Sequence, residues 1–164
     1  MNIDDIMDAA IAYNGKDARR INHLIKVWAF ARCIGRGEHC DSSTQAIVEA
    51  AALLHDIGIH EAERKYASSA GAWQEIEGPP AARALLRDAG LDSAMLERIL
   101  FLIGHHHSYQ AICGLDFQIL VEADFLVNIF EDNMDNAAIQ SIRAKIFKTK
   151  TGLKLLEQLY LSGE

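Results

Sequence analysis

Apolar residues recur along most of the chain at intervals of three and four, the spacing that lays them on one face of an α-helix. In RRINHLIKVWAFARCIG, Val27, Phe30 and Ile34 form such a stripe; in SAMLERILFLIG, Leu96, Ile99, Leu100 and Ile103 form another. No segment sustains the period-two alternation of a half-buried strand. The pattern predicts helices over roughly 3–13, 17–36, 42–57, 79–89, 92–106, 115–131, 135–147 and 151–161. Gly58 reads as a C′ residue after the third helix and Gly90 closes PPAARALLRDAG. Asp92 is a candidate N-cap, and Pro79-Pro80 suits a helix start. The stretch 59–78 is the least regular and reads as a short helix mixed with loop. Trp28, Phe30, Phe101 and Phe125 fall at helical spacings and are expected in the core. With no repeat or linker, residues 1–164 read as one all-α domain, a bundle of packed helices.

Composition narrows the partners. Half of the 164 residues are hydrophobic, enough for one sizeable core, and the formal charge is −7. No basic tract offsets that charge, so a nucleic-acid polymer is not the expected partner. A small anion held by local cations or a metal remains compatible. The acidic, amphipathic opening MNIDDIMDAAIAY does not resemble a leader, and no apolar run reaches membrane length. Cys33, Cys40 and Cys113 read as reduced thiols, so the expected location is the cytoplasm. Cys33, His39 and Cys40 match no standard zinc spacing.

Four polar residues stand where the pattern demands apolar ones. His23 continues the stripe of Val27, Phe30 and Ile34. His55 and Asp56 end the apolar run of EAAALL. Asp124 interrupts FQILVEADFLVNIF. Each alone reads as an ordinary hydrogen-bonded core residue. Together they bring two imidazoles and two carboxylates into an apolar interior, where such groups are tolerated only when paired. A divalent transition metal (Mn, Fe, Co or Ni) satisfies all four. Neighbouring helical residues diverge by about 100°, so His55 and Asp56 meet at one ion only near a helix end. Alternatively Asp56 bridges two ions. The stripe ending at Ile103 leads to His106 and His107, with His105 nearer the flank. These and Glu77 are the candidate ligands for a second ion.

These residues resemble the HD-domain superfamily of metal-dependent phosphohydrolases, whose pattern is a His, a His-Asp pair and a distant Asp on a helical core. RRINH resembles the Arg-x-x-His at the first ligand, AALLHDIG the central motif, and LVEAD the segment with the last Asp. The resemblance covers roughly residues 17–130 and implies an HD-type helical fold with His23, His55, Asp56 and Asp124 as ligands. Binuclear members add histidines between the pair and the last Asp. Here Glu77 in EGPPAAR stands at one such place, and GHHH matches the other, with His106 favoured over its neighbours. Ile59-His60 replaces the Lys that often follows the central motif. SYQAICGLD lacks the Gly-Tyr-Pro of cyclic-dinucleotide phosphodiesterases.

The expected activity is hydrolysis of a phosphate ester or anhydride, a nucleotide or another small phosphate, by water that the metal activates. Asp56 and His60 are the catalytic candidates. Arg20, one turn from His23, and Lys148 and Lys150 in FKTKTG are candidates for the phosphate, with Arg64 and Lys65 as further cations. Two other classes share the same residues: a di-iron oxygenase of the inositol-oxygenase type, and a nucleotide-binding module without turnover. The amphipathic TGLKLLEQLYL would pack on the domain or on a second copy in a homodimer.

Overall fold

A run of small residues sets the centre of the molecule. A computed structural model describes residues 2–161. In it α3 (Ser42–Leu54) buries Val48 and every residue from Glu49 to Leu54. A helix apolar on all sides must be enclosed on all sides. The enclosure comes from α2 (Ala18–Gly37), α6 (Ser93–Ile103) and α7 (Leu115–Glu131), with α1 (Ile3–Asn14) against a further side. Ala50, Ala51 and Ala52 keep these neighbours close. Val27, Ile34, Ile99, Ile103, Phe117 and Leu120 fill the space between them. Trp28, Phe30, Phe101 and Phe125 are partly buried against this core. The fold is all-α, with no strand among the described residues and no helix long and apolar enough to cross a membrane.

The remaining elements are α4 (Ile59–Tyr66), α5 (Gly71–Leu85), a 3-10 turn at Tyr109–Ala111, α8 (Asn136–Lys145) and α9 (Lys150–Leu156), which continues as a π-helical turn over Glu157–Leu161. Caps mark several starts. Asp17, Asp41, Asp92 and Asp135 accept from the backbone N–H three residues on, and Thr149 does the same for Gly152. Gly90 has φ +66° but is not the stop the sequence suggested, because α5 ends at Leu85, before the 89 the periodicity gave. The C-terminal helix is committed to its own domain. α9 packs on α2 and α7, and Leu156 is fully buried. Beneath it the buried Glu122 of α7 accepts from the backbone of Lys148 and Thr149 and from the Thr149 hydroxyl.

Three further boundaries differ from the periodicity. α3 stops at Leu54, and 55–58 form tight turns instead. α6 stops at Ile103, which leaves His105–His107 in a turn. α5 begins at Gly71 and runs through Pro79 and Pro80. A proline pair inside a helix removes two N–H donors, and the residue before a proline normally clashes with its ring. Before Pro79 that residue is Gly78, which has no Cβ to clash.

Gly58 is also not the C′ stop the sequence suggested. Its φ is −74°, an ordinary helical value, and it opens α4. Its lack of a side chain serves close packing. A Cβ there would lie 2.6 Å from both the Gln74 carbonyl oxygen and the Gly78 nitrogen. Both are backbone atoms and cannot swing aside. Gly58→Ala is therefore expected to destabilise the fold by about 1–3 kcal/mol. Denaturant unfolding measures this, and an unchanged midpoint would contradict the packing account.

Candidate metal centre

The His-Asp pair is freed from helical geometry by the turn that follows α3. Ile57 donates to the Leu54 carbonyl at 3.0 Å and Ile59 to that of Asp56 at 3.0 Å. These i to i−3 bonds tighten the chain, and His55 and Asp56 then face one space. The His55 Nδ1 lies 2.9 Å from the Ala52 carbonyl oxygen. A carbonyl only accepts, so Nδ1 carries a proton, and Nε2 is the nitrogen whose lone pair a metal would take in place of a proton. His23 is oriented likewise. Its Nδ1 lies 3.0 Å from Glu131 Oε2, and Lys26 holds the other Glu131 oxygen at 2.5 Å. The His23 lone pair is again at Nε2.

The two Nε2 atoms stand 3.2 Å apart. Asp124 Oδ1 lies 3.3 Å from His23 Nε2 and 3.6 Å from His55 Nε2. Asp56 Oδ2 lies 3.6 Å from each. His55 is 1 % exposed and Asp124 5 %, so the two Nε2 atoms face each other away from solvent between two carboxylates. Only a positive charge makes that arrangement favourable.

The other oxygen of Asp56 faces a second group. Asp56 Oδ1 is 3.4 Å from His106 Nε2. His106 Nδ1 donates to the Ile103 carbonyl at 2.8 Å, while its buried Nε2 has no hydrogen-bond partner. Such an orphan is rare in a protein interior. Ligand atoms of Asp56, His106 and His107 come within 4.8 Å of one another, as do those of His23, His55 and Asp56. The carboxylate of Asp56 thus belongs to both groups. His105 turns away, stacked on Phe101 with ring centroids 4.2 Å apart. The chemistry of both donor sets, imidazole nitrogen with carboxylate oxygen, fits a divalent transition metal.

The electrostatics agree with the geometry. Burial opposes charge on His55, yet Asp56 and Asp124 outweigh it and lift its pKa to about 9. His23 is raised for the same reason, with burial opposing and Asp124 prevailing. Burial also pushes Asp56 and Asp124 upward, and the imidazoles hold both well below the usual carboxylate range. His107 is pushed down to about 4 by burial and by His106, which leaves it neutral and ready to donate a lone pair.

Other candidates lie elsewhere. Glu77 is helical within α5 and falls on the flank facing α4, where it binds Lys65 at 2.5 Å and the Tyr66 hydroxyl at 2.9 Å. Gln74 is the residue of α5 that reaches the centre, 3.1 Å from His107 Nε2. His60 stands behind Arg20, its Nδ1 3.2 Å from the guanidinium and its Nε2 3.1 Å from Asn14 Oδ1. Both ring nitrogens are engaged, which leaves His60 no free position for proton transfer. Arg64 pairs with Glu61. Lys148 and Lys150 flank the start of α9, which meets the far end of α2 where Thr151 N donates to Glu38. Gly37, at that end, is 14 residues from His23, about 21 Å along the helix. They are not part of the centre. Cys33, His39 and Cys40 join no metal-like group among the described residues. Glu131 and Gln74 carried no motif signal. Glu131 falls seven residues after Asp124, two turns along the same face, and that spacing was the available clue.

The centre opens into a cleft of about 400 Å³ lined by Asp17, Arg19, Arg20, His23, Asp56, Ile59, Ser69, Gln74, Asn128, Glu131 and Asp132. The family profile of the HD domain matches residues 20–148. Among solved structures, a predicted HD superfamily hydrolase from an uncultured Thermotogales bacterium is similar with a TM-score of 0.68 at 25 % identity, over 96 % of this chain and 84 % of that one. No curated protein matches.

A dication competes for the same lone pairs as the proton on His55. Metal affinity is therefore expected to climb with pH up to about 9 and then level off, with proton release on binding below about pH 9. Calorimetry in buffers of different ionisation enthalpy measures both, and pH-independent binding would contradict the assignment. Removing the carboxylate that orients His23, in Glu131→Ala, is expected to weaken metal binding about 10–100-fold with the fold intact. Unchanged affinity would show that Glu131 does not position the ligand.

Proposed function

Since the chain belongs to the HD-domain family, we propose that it is a metal-dependent phosphohydrolase acting on a nucleotide or another small phosphate. The observation that carries this reading is the pair of opposed imidazole nitrogens, His23 Nε2 and His55 Nε2, 3.2 Å apart beside Asp56 and Asp124. Bound among these residues, one or two dications would supply Lewis acidity that makes water nucleophilic near neutral pH and offsets charge on phosphoryl oxygens. The chain's own part is positional. His23, His55, Asp56 and Asp124 would hold one ion, and His106 and His107 with Asp56 would hold a second. Ala52, Glu131 and Ile103 fix the imidazole tautomers, so the ligands enter already aimed. The buried walls of α3 and α7 exclude bulk water from one side, and the cleft admits substrate from the other. In the net reaction the oxygen of water bonds to phosphorus. The ester P–O bond breaks and the leaving oxygen takes a proton, giving an alcohol and phosphate.

The test is metal analysis of the purified protein, followed by phosphate release from a panel of esters and anhydrides after reloading with Mn, Co, Ni or Fe. Turnover is expected with at least one metal. Asp56→Ala is expected to lose both retained metal and activity, because that carboxylate serves both groups of ligands. Full metal occupancy in this variant would refute the ligand assignment. Dioxygen uptake by the iron form without phosphate release would favour an oxygenase instead.

A further inference from the structure

The cleft is ordered along two helices. Asp124 and Asn128 of α7 and its C-cap Asp132 are spaced by four residues, and Asn128 and Asp132 line the cleft. Asn128 therefore stands about 6 Å, and Asp132 about 12 Å, outward from the metal ligand. On α2, Arg19 lies four residues before His23 and points into the same cleft. Asp132 caps the end of α7 and Asn128 is half-buried. Among the described residues, the side chains of Asn128, Asp132 and Arg19 have no hydrogen-bond or ion-pair partner.

Arg20, the expected phosphate contact, is occupied. Its guanidinium binds Asp17 at 2.9 Å, Glu63 at 2.6 Å and His60 at 3.2 Å. It is a strut between α2 and α4. Glu131 is likewise held by Lys26 and His23. What the cleft offers a ligand is thus a free cation one turn from His23, a free amide one turn from Asp124 and a free carboxylate one turn beyond that amide. Among the described residues Ile59 is the one apolar residue lining it, and no Phe, Tyr or Trp ring does.

We propose that this cleft binds a phosphate monoester with a small, hydroxyl-rich body, its phosphate met by Arg19 and its hydroxyls by Asn128 and Asp132. The proposal rests on the phosphohydrolase reading for the phosphate's place beside the metal ligands. A single phosphate matches a single free guanidinium. A second phosphate further out would meet the Asp132 carboxylate. Hydroxyl groups donate well to a carboxylate and to an amide oxygen. A purine base gains most from an apolar or aromatic surface, which these walls do not provide.

Calorimetry on the full chain loaded with manganese tests this without requiring turnover. The probes are inorganic phosphate, ethyl phosphate, glycerol phosphate and adenosine 5′-monophosphate. Glycerol phosphate is expected to bind about tenfold more tightly than ethyl phosphate, the gain of two modest hydrogen bonds. The double variant Asn128→Ala/Asp132→Ala is expected to bring that ratio to about one. Asp132→Asn, which keeps the side-chain shape, is expected to reduce it partly. Arg19→Ala is expected to weaken all four probes by a similar factor of about ten, whereas Arg20→Ala lowers thermal stability. Adenosine monophosphate binding more tightly than glycerol phosphate, or a ratio unaffected by the double variant, would overturn the proposal. Because the readout is binding, lack of phosphate release from any ester would count against the hydrolase reading alone.

Discussion

Two imidazole Nε2 atoms aimed at each other across 3.2 Å in a buried space are the constraint on which the rest depends. Neither ring can turn away at no cost. Ala52 holds the far side of His55 and Glu131 the far side of His23, so each Nε2 is committed to the shared space. Asp56 and Asp124 add negative charge on the same point. Such an arrangement of imidazoles and carboxylates could hold a cation.

The packing explains how such a cluster is delivered from three helices. α3 is narrow because of its alanines, so α2 and α7 approach it closely enough for His23 and Asp124 to reach the end of α3. The turn after Leu54 then redirects His55 and Asp56 together. Gly58 and Gly78 bring α5 against that turn, and with it Gln74. Away from the centre, Glu122 secures α9 and the Arg20 strut ties α2 to α4. Both are charged groups used structurally, and both lie near groups that chemistry would have favoured as functional.

Helical periodicity made the architecture legible because an amphipathic face is a local property. The convergence of His23, His55, Asp56 and Asp124 was legible for a related reason: polar residues on core stripes must find one another. The misplaced elements share a different cause. Pro79 and Pro80 normally signal a start, and only the contact of Gly78 with the turn at Gly58 explains a helix continuing through them. That shift of frame moved Glu77 to the α4 flank and brought Gln74 to the centre. Lys148 and Lys150 looked like an anion clamp in one dimension, but α9 packs at the opposite end of α2 from His23. Glu131 lacked a motif because its role is to hold a ligand, and such a role is defined by a neighbour distant in sequence.

The most direct test of the central claim is a crystal structure of the protein prepared with manganese, with anomalous data collected at the manganese edge. The account predicts a peak at coordination distance from His23 Nε2, His55 Nε2, Asp56 and Asp124, with any second peak on the Asp56 oxygen that faces His106. No peak at that point, with a water molecule or a proton bridging the two imidazoles under saturating manganese, would contradict it.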